Sequence, residues 1–173
     1  MNPEILRKYL PQIRSIRLFY YLSELELKSL LAVSEIVRYR TGEKIISQGE
    51  PSEHLFAVLE GSATVSVSDS GNEFFICNIQ KGQVFGEAAI FMTERRTANV
   101  RTSEDTTVIR IHKADMLSFI KHHSQGGIKV LMIILKGLLK KLRNTNIDFI
   151  VEKKSDVQSD DIDPMIQDIM NNL

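Results

Sequence analysis

The spacing of apolar residues changes period twice along the chain, from helical to alternating and back. Over residues 1–33 it is helical. Asn2-Pro3 offers a cap and a proline-tolerant first turn for a helix ending near Pro11. Ser23 and Glu26 form a capping-box pair, which predicts a second helix through Leu30, Leu31 and Val33. From Val37 to His112 the period drops to two. Val37 and Tyr39, then Ala63, Val65 and Val67, then Val108 to Ile111 sit in short β-rich runs. Thr41-Gly42, Gln48-Gly49-Glu50-Pro51, Glu60-Gly61, Ser70-Gly71-Asn72 and Lys81-Gly82 punctuate them, and Ser68 to Asn72 reads as a hairpin tip. Strands this closely spaced predict an antiparallel sandwich or barrel, because short loops force neighbours to pair.

After His112 the helical period returns. Met116, Leu117, Phe119 and Ile120 form the apolar side of a short helix, which Ser124 to Gly127 should break. A longer helix follows, with Ile128, Leu131, Leu135, Leu138 and Leu142 spaced by three and four and the stripe widened by Ile134 and Leu139. Such a stripe packs on its own sheet or pairs two subunits, and the spacing serves both. Glu152 to Asp163 is polar, with Asp156, Asp160, Asp161 and Asp163, and predicts a linker. Asp163-Pro164 would then cap a last amphipathic turn carrying Ile166, Ile169, Met170 and Leu173, free to dock, to meet a partner or to fray. The expected organisation is helices over 1–33, strands over 34–112, helices over 113–150, and an acidic linker with a short tail helix over 151–173.

Composition narrows the function. Lys+Arg and Asp+Glu balance at 22 each, which argues against a dedicated nucleic-acid or anionic-membrane binder. The basic cluster Lys136, Lys140, Lys141 and Arg143 reads as a solvated helix face. The single cysteine, Cys77, excludes an internal disulfide framework and suits a reducing cytoplasm. Its place in the strand-like run Glu73 to Ile79 predicts a buried or half-buried thiol rather than a nucleophile. The start, MNPEILRKYL, lacks a basic region followed by an apolar run, and Ile128 to Leu139 is interrupted by Lys129, Lys136 and Gly137. A soluble cytoplasmic protein is expected. His122 and His123 are adjacent on a helix and point apart, so they predict no metal site and an exposed helix end. No pattern supports an enzyme.

The chemistry concentrates in Phe85 to Val100, FGEAAIFMTERRTANV. Gly86 permits a sharp turn and close approach of a ligand. The amides that open the following helical patch should be unpaired donors, a seat for an anion. Glu87 is a carboxylate in small, apolar company and needs a donor, which a sugar hydroxyl or a nearby arginine would supply. Arg96 presents a planar fork suited to a phosphate diester, and Thr97 adds a hydroxyl. Alternation from Thr97 through Asn99 and Arg101 sets Ala98 and Val100 on the other face. An internal Glu87–Arg96 salt bridge meets the same spacing. Arg95 reads as a solvated neighbour.

This segment resembles the phosphate-binding cassette of the cyclic nucleotide-binding domain family, whose pattern runs FGE-x-A, several residues, then R-[TSA]-A. Phe85-Gly86-Glu87, Ala89 and Arg96-Thr97-Ala98 supply it, with a loop of channel-like length between. Upstream, Gly42-Glu43-x-Ile45-x-x-Gln48-Gly49-Glu50 and Leu59-Glu60-Gly61 match the family's turn glycines, and Leu18-Phe19 with Leu22 its leading run. The resemblance, to the catabolite activator protein and protein kinase A regulatory subunit type, covers roughly Leu18 to Ile147. It implies an α+β fold: an antiparallel β-roll, jelly-roll-like or double-stranded β-helix, flanked by N-terminal helices and a long C-terminal helix. It also implies roles. Glu87 would accept the ribose 2′-hydroxyl, with the Gly86 backbone near the same sugar. The Ala89 amide would meet a phosphate oxygen, and Arg96 the phosphate charge beside the Thr97 amide and hydroxyl. The implied binding set is Phe85, Gly86, Glu87, Ala88, Ala89, Arg96, Thr97 and Ala98.

The ligand implied is cAMP or cGMP, with cAMP favoured. Thr97 keeps cGMP open, since a threonine after the arginine can contact guanine in family members that accept it. Thr145 and Asn146 align with the helix that lids the base in the catabolite activator protein, where a serine stands in place of Asn146. Fraying at a helix end is the plainer account of both. The acidic stretch after Ile150 leaves no room for a helix-turn-helix, so a stand-alone sensor is expected, signalling through its C-terminal helices. Its partners would be an effector protein and a second copy joined through the 128–142 helix. The alternatives are a degenerate fold serving as an interaction scaffold, and a transcription regulator represented without its DNA-binding domain.

Overall fold

The computed structural model describes residues 3–51, 53–91 and 95–160, with side chains described for 7–51, 53–91 and 95–146. The chain divides into two units, Met1–Ile134 and Leu135–Leu173.

Three helices open the first unit: α1 (Pro3–Ser15), α2 (Arg17–Tyr20) and α3 (Glu24–Ala32). Helix α1 runs through Pro11 instead of ending there. An interior proline removes one backbone hydrogen bond and costs about 3 kcal/mol. Tyr9 and Ile13 on either side of it are buried, and each buried side chain of this size returns about 1.5–3 kcal/mol, so tertiary packing outweighs the break. The capping box at α3 forms as expected. The Glu26 amide donates to Ser23 Oγ at 3.3 Å, and the Ser23 amide donates to Glu26 Oε2 at 2.7 Å.

Eight strands follow: β1 (Ser34–Tyr39), β2 (Lys44–Ile46), β3 (His54–Glu60), β4 (Ala63–Asp69), β5 (Asn72–Ile79), β6 (Val84–Phe85), β7 (Asn99–Thr102) and β8 (Thr106–His112). They form two four-stranded antiparallel sheets, ordered β1-β8-β3-β6 and β2-β7-β4-β5. This is the expected roll, flanked by helices. Ile46, Phe56, Val58, Ala63, Ile79, Phe85, Val100 and Val108 make its core. Leu55, Ala57 and Leu59, on the other face of β3, are buried as well, and α1 and α4 (Ala88–Phe91) contact this strand. Burial on both faces explains why His54–Glu60 carries a continuous apolar run rather than an alternation. The turn between β4 and β5 places Ser70 at φ 50° and Gly71 at φ 85°, the paired positive values of a tight hairpin turn.

Cys77 is exposed, contrary to expectation. It lies on β5, the last strand of its sheet, where Phe74, Phe75 and Ile76 are exposed too. An apolar run reads as buried only if something covers it, and Phe74 to Cys77 are left exposed, while Ile79 at the end of the strand reaches the core.

Helix α5 (Lys113–His122) and helix α6 (Ser124–Asp160) complete the described residues. The break falls at His123, and Ser124 to Gly127 form the first turn of α6 instead of interrupting a helix. Both glycines are contact residues. A Cβ at Gly126 would lie 2.9 Å from the Glu26 side chain, and one at Gly127 would lie 2.8 Å from the Ile120 backbone. They let α6 approach α3 and α5 closely, and the approach outweighs the modest helix penalty of glycine. Val130 and Ile134 pack inward, whereas Ile128, Met132, Leu135, Leu139 and Leu142 are exposed at spacings of four and three. The backbone stays helical over 152–160, where composition predicts a linker. Residues 161–173, with the expected tail helix, lie outside the described residues. His122 is exposed, while His123 is half-buried with its ring stacked 4.9 Å from that of Phe119.

Candidate functional site

Phe85 and Arg96 are held by β3, and Arg95 and Arg96 by the turn between β2 and β3. Phe85 pairs with Phe56 across β6 and β3, and their rings stack with centroids 5.0 Å apart. Gly86 follows with φ +72°, which L side chains rarely adopt. A Cβ there would lie 2.9 Å from Arg96 Nη1 and 3.0 Å from the His54 carbonyl oxygen. Glycine is therefore required twice, for the turn and for the space that Arg96 occupies.

Arg96 is half-buried. Its Nη2 donates to the His54 carbonyl at 2.7 Å, and its Nη1 reaches the Gly86 carbonyl at 3.5 Å. The guanidinium carbon lies 5.8 Å from the centre of the Phe56 ring. Burial pushes its pKa below the usual arginine value, and the Glu50 carboxylate pushes the other way. The group stays cationic at physiological pH, since arginine starts so high. Its main chain is pinned as well: the Arg96 amide donates to the Glu50 carbonyl at 2.8 Å, and the Gly49 amide donates to the Arg96 carbonyl at 2.9 Å. Arg95 is exposed but not idle, for its Nη1 donates to the Gly49 carbonyl at 2.7 Å.

Glu87 is buried, 8% exposed, in keeping with its apolar neighbours in sequence. Two of the amides at the start of α4 are not unpaired donors. The Ala89 amide donates to the Gly86 carbonyl at 3.2 Å and the Ile90 amide to the Glu87 carbonyl at 3.1 Å, because the chain closes into a turn as soon as Gly86 reverses it. Ala88 and Thr97 are exposed, Ala89 is buried and Ala98 is half-buried. Phe85 to Ala89 and Arg96 thus meet around the Gly86 turn.

Three residues here escaped the sequence reading. Asn99 is buried, not outward with Thr97. Its Oδ1 accepts from the Gln48 amide at 3.0 Å, and its Nδ2 donates to Ser68 Oγ at 2.9 Å. The Gln48 side chain in turn bonds the Ser68 main chain twice, at 2.7 and 3.1 Å. Asn99 and Gln48 lock the turn that holds Arg96 to the β4–β5 hairpin. The third is His54, whose carbonyl holds the guanidinium; a main-chain acceptor leaves no trace in residue type. Thr145 and Asn146 belong to the second unit. There the Thr145 hydroxyl donates to the Lys141 carbonyl at 3.1 Å, and both residues are exposed.

A family model described as the cyclic nucleotide-binding domain matches residues 36–123, just over half of the 173-residue chain. The chain belongs to the cyclic nucleotide-binding domain family. Among curated relatives of this domain is a cAMP-dependent protein kinase regulatory subunit of Mycosarcoma maydis, 31% identical over 75% of this chain. The match spans 23% of that protein's length. Among solved structures, a cyclic nucleotide-binding domain from Methylobacillus flagellatus matches with a TM-score of 0.73 at 20% identity, covering 87% of this chain and 84% of the other. The Thermus thermophilus catabolite activator protein matches with a TM-score of 0.66 at 22% identity, covering 79% of this chain and 63% of the other. At these identities the structural likeness bears on the fold. No helix among the described residues is long and apolar enough to cross a membrane.

Proposed function

We propose that this cyclic nucleotide-binding domain binds cAMP in preference to cGMP at Phe85–Ala89 and Arg96–Ala98, and that it is a regulatory sensor rather than an enzyme. One observation carries the reading: a half-buried guanidinium sits at a glycine-only turn, against the neutral carbonyl oxygens of His54 and Gly86. A charged phosphate oxygen is a stronger acceptor than either carbonyl, and a planar fork grips it with two bonds. Glu87 would accept from the ribose 2′-hydroxyl, with the Gly86 backbone beside the sugar. The Ala89 amide would exchange its long bond to Gly86 for a phosphate oxygen, and Thr97, already exposed, would add its amide and hydroxyl.

Signalling would pass through the C-terminal helices, residues 113–150, with Thr145 and Asn146 lidding the base. The exposed seam Ile128, Met132, Leu135, Leu139 and Leu142 supports a second copy or an effector helix as the recipient, since its spacing is that of a two-helix contact. An exposed free thiol at Cys77 fits a reducing, cytoplasmic setting.

A second reading has its own observation. The Arg96 fork and the Ala89 amide already donate to protein carbonyls, as they would in a scaffold that has given up its ligand. Calorimetric titration with cAMP and cGMP separates the two. The sensor reading expects saturable binding, and Arg96→Ala should weaken it about tenfold to a hundredfold, from ~1.5–3 kcal/mol for a charge-assisted bond. Unchanged affinity in that variant would refute the assignment, and no binding of either nucleotide to the wild-type chain would favour the scaffold.

A further inference from the structure

Two consecutive carbonyls, of Glu53 just before β3 and His54 at its start, serve two different elements. That of His54 accepts from Arg96 Nη2, and that of Glu53 accepts from the Lys113 amide, the first of α5, each at 2.7 Å. His54 also stands opposite His112 in the β3–β8 register, with the two rings edge to face at 5.1 Å. His112 is the N-cap of α5, its Nδ1 accepting from the Ala114 amide at 3.1 Å. On its other side the His54 ring lies 6.1 Å from that of Phe56, the ring beneath the Arg96 guanidinium. His54 therefore meets the arginine through its main chain and the helix cap through its side chain.

We infer that His54 is a positioning residue that ties Arg96 to the first turn of α5, so that capture of an anion by Arg96 loosens that turn. The identity of the anion as a cyclic nucleotide rests on the function proposed above; the tie itself does not. A phosphate engaging both terminal nitrogens of the fork takes Nη2 from the His54 carbonyl. That carbonyl, left without its donor, turns toward another. The Glu53 carbonyl belongs to the adjoining peptide and turns with it, weakening its hold on the Lys113 amide. Coupling of this kind is reciprocal: whatever weakens the cap must favour the released state and tighten anion binding.

The reciprocity supplies a test that mere structural damage would not pass. Amide hydrogen exchange, followed by NMR on the full chain without ligand, should be roughly tenfold faster at Lys113 and Ala114 in Arg96→Ala than in wild type. Amides of β4 and β5 should be unchanged. Arg96→Lys, which keeps one donor, should recover part of the protection. Saturating cAMP should speed the same two amides in the wild-type chain. His112→Ala should bind cAMP about two- to tenfold more tightly, and His112→Asn, which keeps a capping acceptor, should restore the wild-type affinity. Unchanged exchange at Lys113 and Ala114 in Arg96→Ala, or a rise shared by β4 and β5, overturns the inference. Weaker cAMP binding by His112→Ala overturns it as well. Failure of the wild-type chain to bind either nucleotide refutes the proposed ligand, while the ligand-free comparison still decides the tie.

Discussion

Replacing Gly86 with alanine strikes the one position where turn geometry and the arginine's seat coincide. At φ +72° an L-residue costs about 1–2 kcal/mol more than glycine. The added methyl would also stand 2.9 Å from Arg96 Nη1 and 3.0 Å from the His54 carbonyl, where ordinary contact begins near 3.4 Å. The guanidinium end, at the tip of a long side chain, swings away far more readily than the carbonyl, which is part of β3. Moving Arg96 sacrifices hydrogen bonds to a charged group and adds about 1–2 kcal/mol. The sum, about 2–4 kcal/mol, should lower the thermal midpoint by about 8–15 °C for a unit of this size. Nucleotide affinity should fall at least tenfold, since the arginine no longer holds its place. Gly137→Ala is the internal control: it lies in α6 with nothing within 4 Å of the new methyl, and should stabilise the helix by up to about 1 kcal/mol. Differential scanning calorimetry and titration of both variants check the pair. A Gly86→Ala chain that melts with the wild type and binds as well would refute the claim that this turn seats Arg96.

Asn99→Ala should cost about 1–3 kcal/mol in urea denaturation, because the Gln48 amide and Ser68 hydroxyl lose their shared partner; a loss below 0.5 kcal/mol (about the error of the method) would deny the lock. Burial holds the His54 pKa below its ordinary 6.5, helped by Arg110, His112 and Arg96 and opposed by Glu53. The unfolded chain thus takes up this proton at higher pH than the folded one. Stability is full above pH 6.5 and declines as pH falls below it, and His54→Asn should flatten that step in midpoint-versus-pH curves. The carboxylates of Glu26, Glu35 and Asp105, depressed mainly by hydrogen bonds to the Ser23 backbone, Arg110 and the Thr41 backbone, act in a separate, more acidic window. Leu139→Lys, on the exposed seam of α6, should halve the mass found by light scattering if that seam joins two copies; an unchanged oligomer would direct attention elsewhere.

Much of the fold was legible because local chemistry and tertiary structure agree. Ser23 and Glu26 satisfy each other's backbone amides within one turn, so their pairing needs no distant contact. Ser70-Gly71 makes a hairpin turn that few other pairs allow. Phe85-Gly86-Glu87 and Arg96-Thr97-Ala98 carried the family resemblance, and the turn at Gly86 does require its glycine. The misreadings fall where a helix break or burial was inferred from residue type alone. Pro11 and Gly126-Gly127 look like breaks, yet packing carries the helix through the first and close approach explains the second. Cys77 lies in an apolar run that proves to be the exposed part of an edge strand.

The sequence by itself determined the period changes, the capping box of α3 and the β4–β5 hairpin, because each depends on residues within a few positions of one another. Only the tertiary structure decided what the cassette touches. The partners of Arg96 are the carbonyls of His54 and Gly86 and the backbone of Gly49-Glu50, and those of Asn99 are Gln48 and Ser68. Most of these lie 31–51 residues away along the chain. Main-chain acceptors are common to every residue, so no pattern of side chains could have singled them out; strand register alone brings them to the site.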